Sequence, residues 1–269
     1  MTATRLATKY VEKPWGRTDL PGFFPDGGGR QIGEIWFEGP GDRHPPLLVK
    51  YIFTSERLSI QVHPDDAQGQ ARGLPGGKSE CWLILDTQPG ATLGLGTTRP
   101  LDSDTLRAAA LDGRIEQLMD WKPVASGDFY YVPAGTVHAI GAGVALIEVQ
   151  QNIDVTYRLY DYGRPRELHL DDGVAVSRPE PYLRPAMNVA RQDAATLLGR
   201  DEAPFALKLE SFAPGTQDIG EAGGTYWFIP LTGDGTLDEQ PWAAGQCWLI
   251  DGKAALTLAA PARALVATC

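Results

Sequence analysis

The chain has 269 residues, 43% of them hydrophobic, and can bury one large core or two of ordinary size. Its net charge of −10 argues against non-specific binding to nucleic acid or anionic membranes, because both are polyanions that attract a basic surface. The N-terminal residues lack an apolar segment of signal-peptide length and no segment is apolar enough to span a bilayer, so we expect a soluble, cytoplasmic protein.

Short apolar runs separated by turn-forming residues predict a mainly β fold. The chain contains 31 glycines and 21 prolines, spread among runs of Val, Ile, Leu, Tyr and Trp. LLVKYIF at 47–53 and ECWLIL at 80–85 are the clearest strands of the N-terminal part. Between them lies LSIQVHPDD at 58–66, where an alternating strand pattern runs into polar residues.

The segment from 101 to 121 changes character and predicts a helical insertion between strands. Asp102 or Ser103 can cap a first short helix, and Gly113 separates it from a second one. Strand patterns then return at DFYYVP, 128–133, and at VALIEVQQ, 144–151.

The C-terminal part has the strand-and-turn texture of the N-terminal part but lacks histidine. We expect a division into a catalytic unit at 1–182, with the helical insertion, and a second part at 183–269. The second part would consist of a connector, with the helix-like RQDAATLLG at 191–199, and a degenerate copy of the first β unit. A pair of β-sandwiches or barrels is the architecture that this pattern favours.

Polar side chains at the ends of three predicted strands could form a metal site. In a strand of period two, Gln61 and His63 share the face opposite Leu58, Ile60 and Val62. By the same rule Lys78 and Glu80 share a face, and His138 follows the turn PAGT.

Two imidazoles and a carboxylate are a common donor set for a divalent metal and leave positions free for water or substrate. His63, Glu80 and His138 supply that set, and Gln61 could add an oxygen. Their spacing matches no zinc finger, so folding has to bring them together. Hydrogen-bonded turn residues are the alternative interpretation of each histidine.

Four consecutive segments resemble the signature segments of one enzyme family. LSIQVHPDD, GKSEC, VPAGTVHAIGAG and EVQQNIDVTYRLYDYGR resemble those of type I phosphomannose isomerase in its short bacterial form, and EKPWG resembles that family's opening. The second and third segments also resemble the two motifs of the cupin superfamily. The resemblance covers about residues 10 to 170 and implies two cupin-like, jelly-roll β-barrel units with short helical insertions.

The resemblance also implies an activity, a cofactor and a set of site residues. The activity is the interconversion of mannose 6-phosphate and fructose 6-phosphate through an enediol or enediolate. One zinc ion per chain would be held by Gln61, His63, Glu80 and His138. The implied catalytic residues are Lys78, Asp154 and Arg158, of which Lys78 and Arg158 would also bind the sugar phosphate. Glu148, which shares a strand face with Gln150, is a further candidate for substrate binding.

Some roles within this site stay open. A bound zinc would stabilise negative charge on the sugar oxygens as a Lewis acid, and Arg158 is suited to planar recognition of phosphate or enediolate. Without the resemblance, Asp154 and Arg158 would be read as an ion pair, and Glu148 and Gln150 as pocket-lining residues or as partners of each other. Longer family members often carry a histidine at the position of Gly77, credited with ring opening, so that role would fall to another group here.

Two other functions fit parts of the pattern. An Fe(II)-dependent cupin oxygenase uses the same two-histidine, one-carboxylate set, although Lys78, Asp154 and Arg158 speak against it. A cupin that binds a sugar phosphate without turnover is the other alternative. Either a monomer or a homodimer is compatible with the sequence.

Overall fold

The computed structural model describes residues 2–20, 23–24, 27–41 and 43–269. The first five strands are β1 (Ala3–Arg5), β2 (Ala7–Arg17), β3 (Ile32–Glu38), β4 (Leu47–Phe53) and β5 (Ile60–Val62). The next seven are β6 (Glu80–Thr87), β7 (Thr92–Thr97), β8 (Met119–Pro123), β9 (Asp128–Val132), β10 (His138–Ile140), β11 (Val144–Gln151) and β12 (Tyr157–Tyr160).

The C-terminal part adds eight short and long strands. They are β13 (Met187–Asn188), β14 (Ala195–Leu198), β15 (Ala206–Phe212), β16 (Gly215–Thr232), β17 (Asp234–Leu237), β18 (Gln240–Ala243), β19 (Trp248–Leu258) and β20 (Ala262–Thr268). The helices are α1 (Asp66–Gln70), α2 (Ser103–Asp112), α3 (Ile115–Leu118) and α4 (Leu170–Val176). The mainly β fold with short helical insertions is therefore confirmed.

The strands form three antiparallel sheets. A seven-stranded sheet has the order β13-β9-β6-β11-β4-β3-β2, and a five-stranded sheet has the order β12-β5-β10-β7-β8. The eight-stranded sheet runs β14-β15-β20-β16-β19-β17-β18, with β1 paired to β19. Each sheet is open along this order, so the predicted barrels are packed sheets rather than closed cylinders.

Alternation along β6 explains how the sheets stack. Trp82 and Ile84 pack in a cluster with Leu93 of the five-stranded sheet, whereas Cys81 and Leu83 pack in a cluster with residues of the eight-stranded sheet. The seven-stranded sheet is therefore the central layer and is buried on both faces. Helices α2, α3 and α4 cover the outer face of the five-stranded sheet.

The predicted alternation of β5 is correct from Ile60 onward. Ile60 and Val62 face the helices, while Gln61 and His63 are directed to the other side. Leu58 was expected to share the face of Ile60, and this is wrong: it packs with Trp82 between the sheets, because the strand begins only at Ile60.

The helical insertion is confirmed, and a second expected helix is not. The Asp102 carboxylate accepts a hydrogen bond from Thr105 N at 2.7 Å, and Gly113 ends α2 with a φ of 82°. The insertion gives way to β8 at Met119. The helix expected at 191–199 is wrong, because Leu197 and Leu198 are buried against the central sheet and β14 pairs with β15.

Two strands pair with strands on the other side of the expected domain boundary. β1 joins the eight-stranded sheet, and β13 pairs with β9 of the seven-stranded sheet. The boundary between 182 and 183 stays a prediction. Over the described ranges, no helix combines the length and the apolarity that crossing a membrane requires.

Candidate metal centre

Strand register brings the predicted ligands together on the facing sides of the five-stranded and seven-stranded sheets. His138 and Arg158 both lie directly opposite Gln61, from β10 on one side of β5 and from β12 on the other. His63 follows β5 at once, and Glu80 begins β6 in the central sheet. Because partners in a ladder lie on the same face, these side chains point into the space between the two sheets.

His63, Glu80 and His138 converge on one point. Glu80 Oε2 lies 3.4 Å from His63 Nε2, and Glu80 Oε1 lies 3.2 Å from His138 Nε2. The two imidazole rings have centroids 4.9 Å apart, and the three residues are each 1% exposed. Their donor atoms all lie within 4.8 Å of one another, which is the spacing that a single small cation requires.

Three buried polar atoms of this group have no well-directed hydrogen bond. Both oxygens of Glu80 and Nδ1 of His63 are buried without a well-directed hydrogen bond. The Lys78 ammonium, 3.2 Å from Glu80 Oε2, offsets part of the cost of burying this carboxylate, and a bound cation would offset more. His138 Nδ1 lies 2.9 Å from Thr136 O and donates to it, which leaves the Nε2 lone pair directed at the site. The donor set therefore fits a divalent cation.

The surroundings keep these groups in the protonation state of metal ligands. Burial, together with the Lys78 ammonium, lowers the pKa of His63 to about 3, and burial lowers the pKa of His138. Burial alone would raise the pKa of Glu80, but the Lys78 ammonium holds it well below its usual range. Neutral imidazoles and an ionised carboxylate are the forms that bind a metal.

Lys78 lies beside the three candidate ligands. Its ammonium is 3.1 Å from His63 Nε2 and 3.2 Å from Glu80 Oε2, and the residue is 5% exposed. The predicted pairing of Lys78 and Glu80 on one face is confirmed by these contacts. Lys78 and Gln61 also line a neighbouring cavity, so they lie between that cavity and the centre.

The two aspartates that follow His63 hold the neighbouring loop and are not part of the centre. Asp65 caps α1 by accepting a hydrogen bond from Gln68 N. The carboxylate of Asp66 accepts from Gly77 N at 2.8 Å and from Gln151 Nε2 at 2.9 Å. A Cβ at Gly77 would lie 2.3 Å from the carbonyl carbon of Asp65, so a histidine cannot replace Gly77 without moving this loop.

A cavity of about 270 Å³ lies between the five-stranded and seven-stranded sheets. All the remaining predicted site residues line it: Gln61, Lys78, Glu148, Asp154 and Arg158. Among the residues that the structure describes, five basic and three acidic side chains line the wall. The basic ones are Lys13, Lys50, Lys78, Arg158 and Arg166, and the acidic ones are Glu34, Glu148 and Asp154.

Two pairings that the sequence left open, Asp154 with Arg158 and Glu148 with Gln150, are not observed. No ion pair joins Asp154 to Arg158 in the described part of the chain. Arg158 Nη1 donates to Glu167 O at 2.7 Å, while its Nε has no partner, and burial with the nearby Arg166 charge lowers its pKa. Glu148 and Gln150 do not pair with each other.

Seven of the twenty residues that line the cavity belong to strands that the sequence patterns did not assign to the site. Lys13, Glu34, Trp36 and Lys50 belong to β2, β3 and β4. The sequence feature that could have indicated this part of the wall is Lys50, a single charged residue within the otherwise apolar LLVKYIF. A charged residue inside a fully buried strand is uncommon and indicates a partner or a ligand.

Comparison with solved structures identifies the fold of the chain. No protein-family model matches the chain. A solved mannose 6-phosphate isomerase from Bacillus subtilis superposes on the whole chain and over its own whole length, with a TM-score of 0.78 and 25% identity. The chain has the phosphomannose isomerase fold. A mannose 6-phosphate isomerase solved with zinc bound shares this fold at 15% identity and a TM-score of 0.69, with 99% of each chain covered.

The resemblance to phosphomannose isomerases that the motifs indicate is confirmed by curated relatives. The mannose-6-phosphate isomerase of Streptococcus mutans is 39% identical over 137 residues, which cover 49% of this chain and 43% of that relative. ManA of Bacillus subtilis, a mannose-6-phosphate isomerase, is 43% identical over 143 residues, 51% of this chain and 45% of the relative. In these alignments the chain thus spans less than half the length of the relatives.

Proposed function

We propose that this protein is a zinc-dependent mannose-6-phosphate isomerase that interconverts mannose 6-phosphate and fructose 6-phosphate. The observation that carries the proposal is the convergence of His63, Glu80 and His138 beside Gln61 and Lys78, which line a cavity with a mainly basic set of charged residues. The curated relatives, which bear this activity in their names, support the same reaction.

Zinc is the metal that we propose for the centre, with one ion per chain. Two neutral imidazoles and one carboxylate are typical of catalytic zinc sites, which keep a position open. Gln61 would be the fourth ligand. Its Nε2 lies 3.3 Å from His138 Nε2, and rotation of the amide by 180° puts Oε1 in that place with almost no change of shape. When bound, zinc would stabilise the negative charge that develops on the sugar oxygens.

The charge of the cavity supports an anionic substrate. The chain as a whole carries a net charge of −10, yet basic side chains outnumber acidic ones on the cavity wall. A cavity with an excess of basic residues in an acidic protein attracts a small anion. A sugar phosphate satisfies both features of the cavity, since its hydroxyls suit the carboxylates and its phosphate suits the guanidinium groups.

We propose distinct roles for the predicted residues on the wall. Arg158, which lines the cavity and spends one Nη1 hydrogen bond on Glu167 O, would bind the phosphate or the enediolate oxygens. Lys78 lies close enough to the metal centre to exchange a proton with a sugar oxygen held there. Asp154, which has no ion pair with Arg158, is left as a candidate for proton transfer.

The predicted substrate contact of Glu148 stays a prediction. One of its oxygens accepts a hydrogen bond from Trp82 Nε1 at 2.9 Å, and the other lies 3.4 Å from Lys50 Nζ. The cytoplasmic location and the monomeric or homodimeric state also stay predictions.

Metal analysis and a coupled assay test the proposal together. Purified protein should contain about one zinc per chain, and zinc-loaded protein should convert mannose 6-phosphate to fructose 6-phosphate, followed through a coupled dehydrogenase. Treatment with a chelator should remove the activity, and added zinc should restore it. Absence of zinc-dependent turnover would defeat the proposal.

The same preparation separates the alternatives. An Fe(II)-dependent oxygenase would consume oxygen when loaded with iron, in the presence of a substrate. A cupin without turnover would bind mannose 6-phosphate, measured by calorimetry, and form no fructose 6-phosphate. An anomalous-scattering map at the zinc edge would identify the metal and its ligands.

A further inference from the structure

A turn at residues 133–136 leads from β9 into β10 and lies outside the cavity lining. Thr136 N donates a hydrogen bond to Pro133 O at 3.1 Å, which closes the turn. The central peptide joins Ala134 to Gly135, both buried, and Gly135 has a φ of 86°. A positive φ at the third residue is typical of a type II turn, which requires one orientation of the central peptide.

The two imidazoles of the candidate metal centre are both hydrogen-bonded to this turn. Gly135 N donates to the backbone carbonyl of His63 at 2.8 Å. The carbonyl of Thr136 accepts the hydrogen bond from His138 Nδ1 at 2.9 Å. The turn therefore helps to set the backbone position of one imidazole and the ring orientation of the other.

The start of β6, which carries the carboxylate of the centre, contacts the same turn. Glu80 lies directly opposite Val132, the residue that precedes the turn. The hydroxyl of Ser79, a residue that is buried like Glu80, accepts a hydrogen bond from Ala134 N at 3.2 Å. All three candidate ligands thus depend on one turn for part of their position.

Arg178 holds the other side of the central peptide. Its Nη2 donates a hydrogen bond to Ala134 O, and its backbone N donates to Gly135 O at 2.8 Å. A Cβ at Gly135 would lie 2.6 Å from Arg178 Nε, so the guanidinium lies directly against the turn. Because the C=O and N–H of a trans peptide point in opposite directions, Ala134 O faces Arg178 while Gly135 N faces His63.

The backbone that carries Arg178 is fixed independently of the turn. Residues 177–182 follow α4, and Glu180 O accepts a hydrogen bond from Thr97 N at 3.0 Å. The hydroxyl of Tyr182 donates to the backbone of β9 at 2.6 Å. Since neither bond involves the turn, Arg178 can restrain the turn rather than move with it.

We propose that Arg178 is a positioning residue of the metal centre, which locks the central peptide of the 133–136 turn and through it the position of His63. If that peptide rotated, as between a type II and a type I turn, Gly135 N would no longer face His63 O. Arg178 opposes this rotation with a charge-assisted hydrogen bond to Ala134 O. This inference rests on the metal centre proposed above.

Zinc affinity in a variant without the guanidinium tests the inference. Arg178→Met keeps most of the side-chain length and removes its donors. We expect its zinc affinity, measured by competition with a chromophoric chelator, to fall about 10-fold, at the low end of the roughly 10- to 100-fold loss for residues that orient a metal ligand. The visible spectrum of the cobalt-loaded protein should also change, because it reports the geometry of the ligands.

Two further variants complete the comparison. Arg178→Lys keeps one donor for Ala134 O and should recover part of the affinity, and it keeps the test informative if Arg178→Met fails to fold. Arg184→Met is the matched control, because Arg184 lines the same outer groove but pairs with Glu202 at 2.6 Å. It removes an equal charge and should leave zinc affinity unchanged.

Hydrogen exchange of the metal-free protein supplies a readout that does not depend on zinc. Arg178→Met should speed the exchange of the Gly135 amide relative to the Gly141 amide, which donates to Thr92 O at 2.9 Å away from the turn. A general loss of stability would speed both amides instead.

Wild-type zinc affinity in Arg178→Met, or an equal loss in Arg184→Met, would overturn the role of Arg178 in positioning the centre. Unchanged exchange of the Gly135 amide, or equal acceleration at Gly135 and Gly141, would overturn the route through the turn. If the wild-type protein binds neither zinc nor cobalt, the proposed metal centre fails, and the exchange of the Gly135 amide still decides whether Arg178 locks the turn.

Discussion

Gln61 and His138 lie directly opposite each other on β5 and β10, and their side-chain Nε2 atoms are 3.3 Å apart. Arg158 lies opposite Gln61 on its other side, from β12. One row across the five-stranded sheet therefore joins the metal centre to the wall that would meet the substrate. A small change in this sheet would move both together.

His138→Ala should abolish metal retention. It removes one of the two imidazoles of the centre, and we expect zinc affinity to fall by more than about 100-fold, since loss of a group that merely orients a ligand costs about 10- to 100-fold. Elemental analysis after dialysis measures the effect. His44→Ala, in an exposed loop, is the control and should keep its zinc. Full zinc content in His138→Ala would show that this imidazole is not a ligand.

The stability of the metal-free protein should fall as the pH is lowered from 7.5 to 5.0. Burial lowers the pKa of His63 from 6.5 to about 3 and lowers that of His138, so below pH 6.5 the unfolded chain binds protons that the folded chain excludes. Stability from these groups is complete above pH 6.5 and is lost as the pH falls. We expect a decrease of roughly 2 to 4 kcal/mol in the free energy of unfolding.

Urea unfolding of chelator-treated protein at the two pH values measures this decrease. His63→Gln should show a smaller pH dependence than wild type, because one of the two depressed imidazoles is gone. His44→Gln should retain the wild-type dependence. The explanation would be contradicted if the free energy of unfolding decreased equally in His63→Gln and in wild type between pH 7.5 and pH 5.0.

Arg158→Lys should lower kcat/KM for mannose 6-phosphate by about 100-fold. A lysine keeps the charge but cannot offer the planar fork of donors, and loss of one well-placed donor to a developing charge costs about 10²- to 10³-fold. The coupled isomerase assay measures it. Arg107→Lys, on the surface and paired with Asp171, is the control and should be unaffected. Wild-type kcat/KM in Arg158→Lys would remove Arg158 from the site.

Phe205→Ala should destabilise the protein by about 3 to 5 kcal/mol. Phe205 is fully buried between the central and the eight-stranded sheets, and deletion of a buried aromatic ring leaves a cavity. Leu183→Ala, at a side chain that is 88% exposed, should change stability by less than about 0.5 kcal/mol. Chemical unfolding compares the two. A cost below about 1 kcal/mol for Phe205→Ala would mean that the C-terminal sheet is not needed as a cover.

Local sequence patterns were sufficient to predict most residues of the metal centre. Period-two alternation placed Gln61 with His63 and Lys78 with Glu80, and both pairs face the space between the sheets. The alternation failed at Leu58, where the chain is not yet a strand, and helix-like composition failed at 191–199. In both cases the neighbouring sheet decided the conformation, since pairing and burial outweigh local preference.

The sequence by itself determined the β class, the helical insertion, the chemistry of the donor set and the likeness to phosphomannose isomerases, because each depends on residue types at short spacing. Only the tertiary structure decided that the central sheet is covered by the C-terminal sheet and that Lys50 meets Glu148 on the cavity wall. Those relations join residues far apart in the chain, and they arise from strand register and burial, which no local pattern encodes.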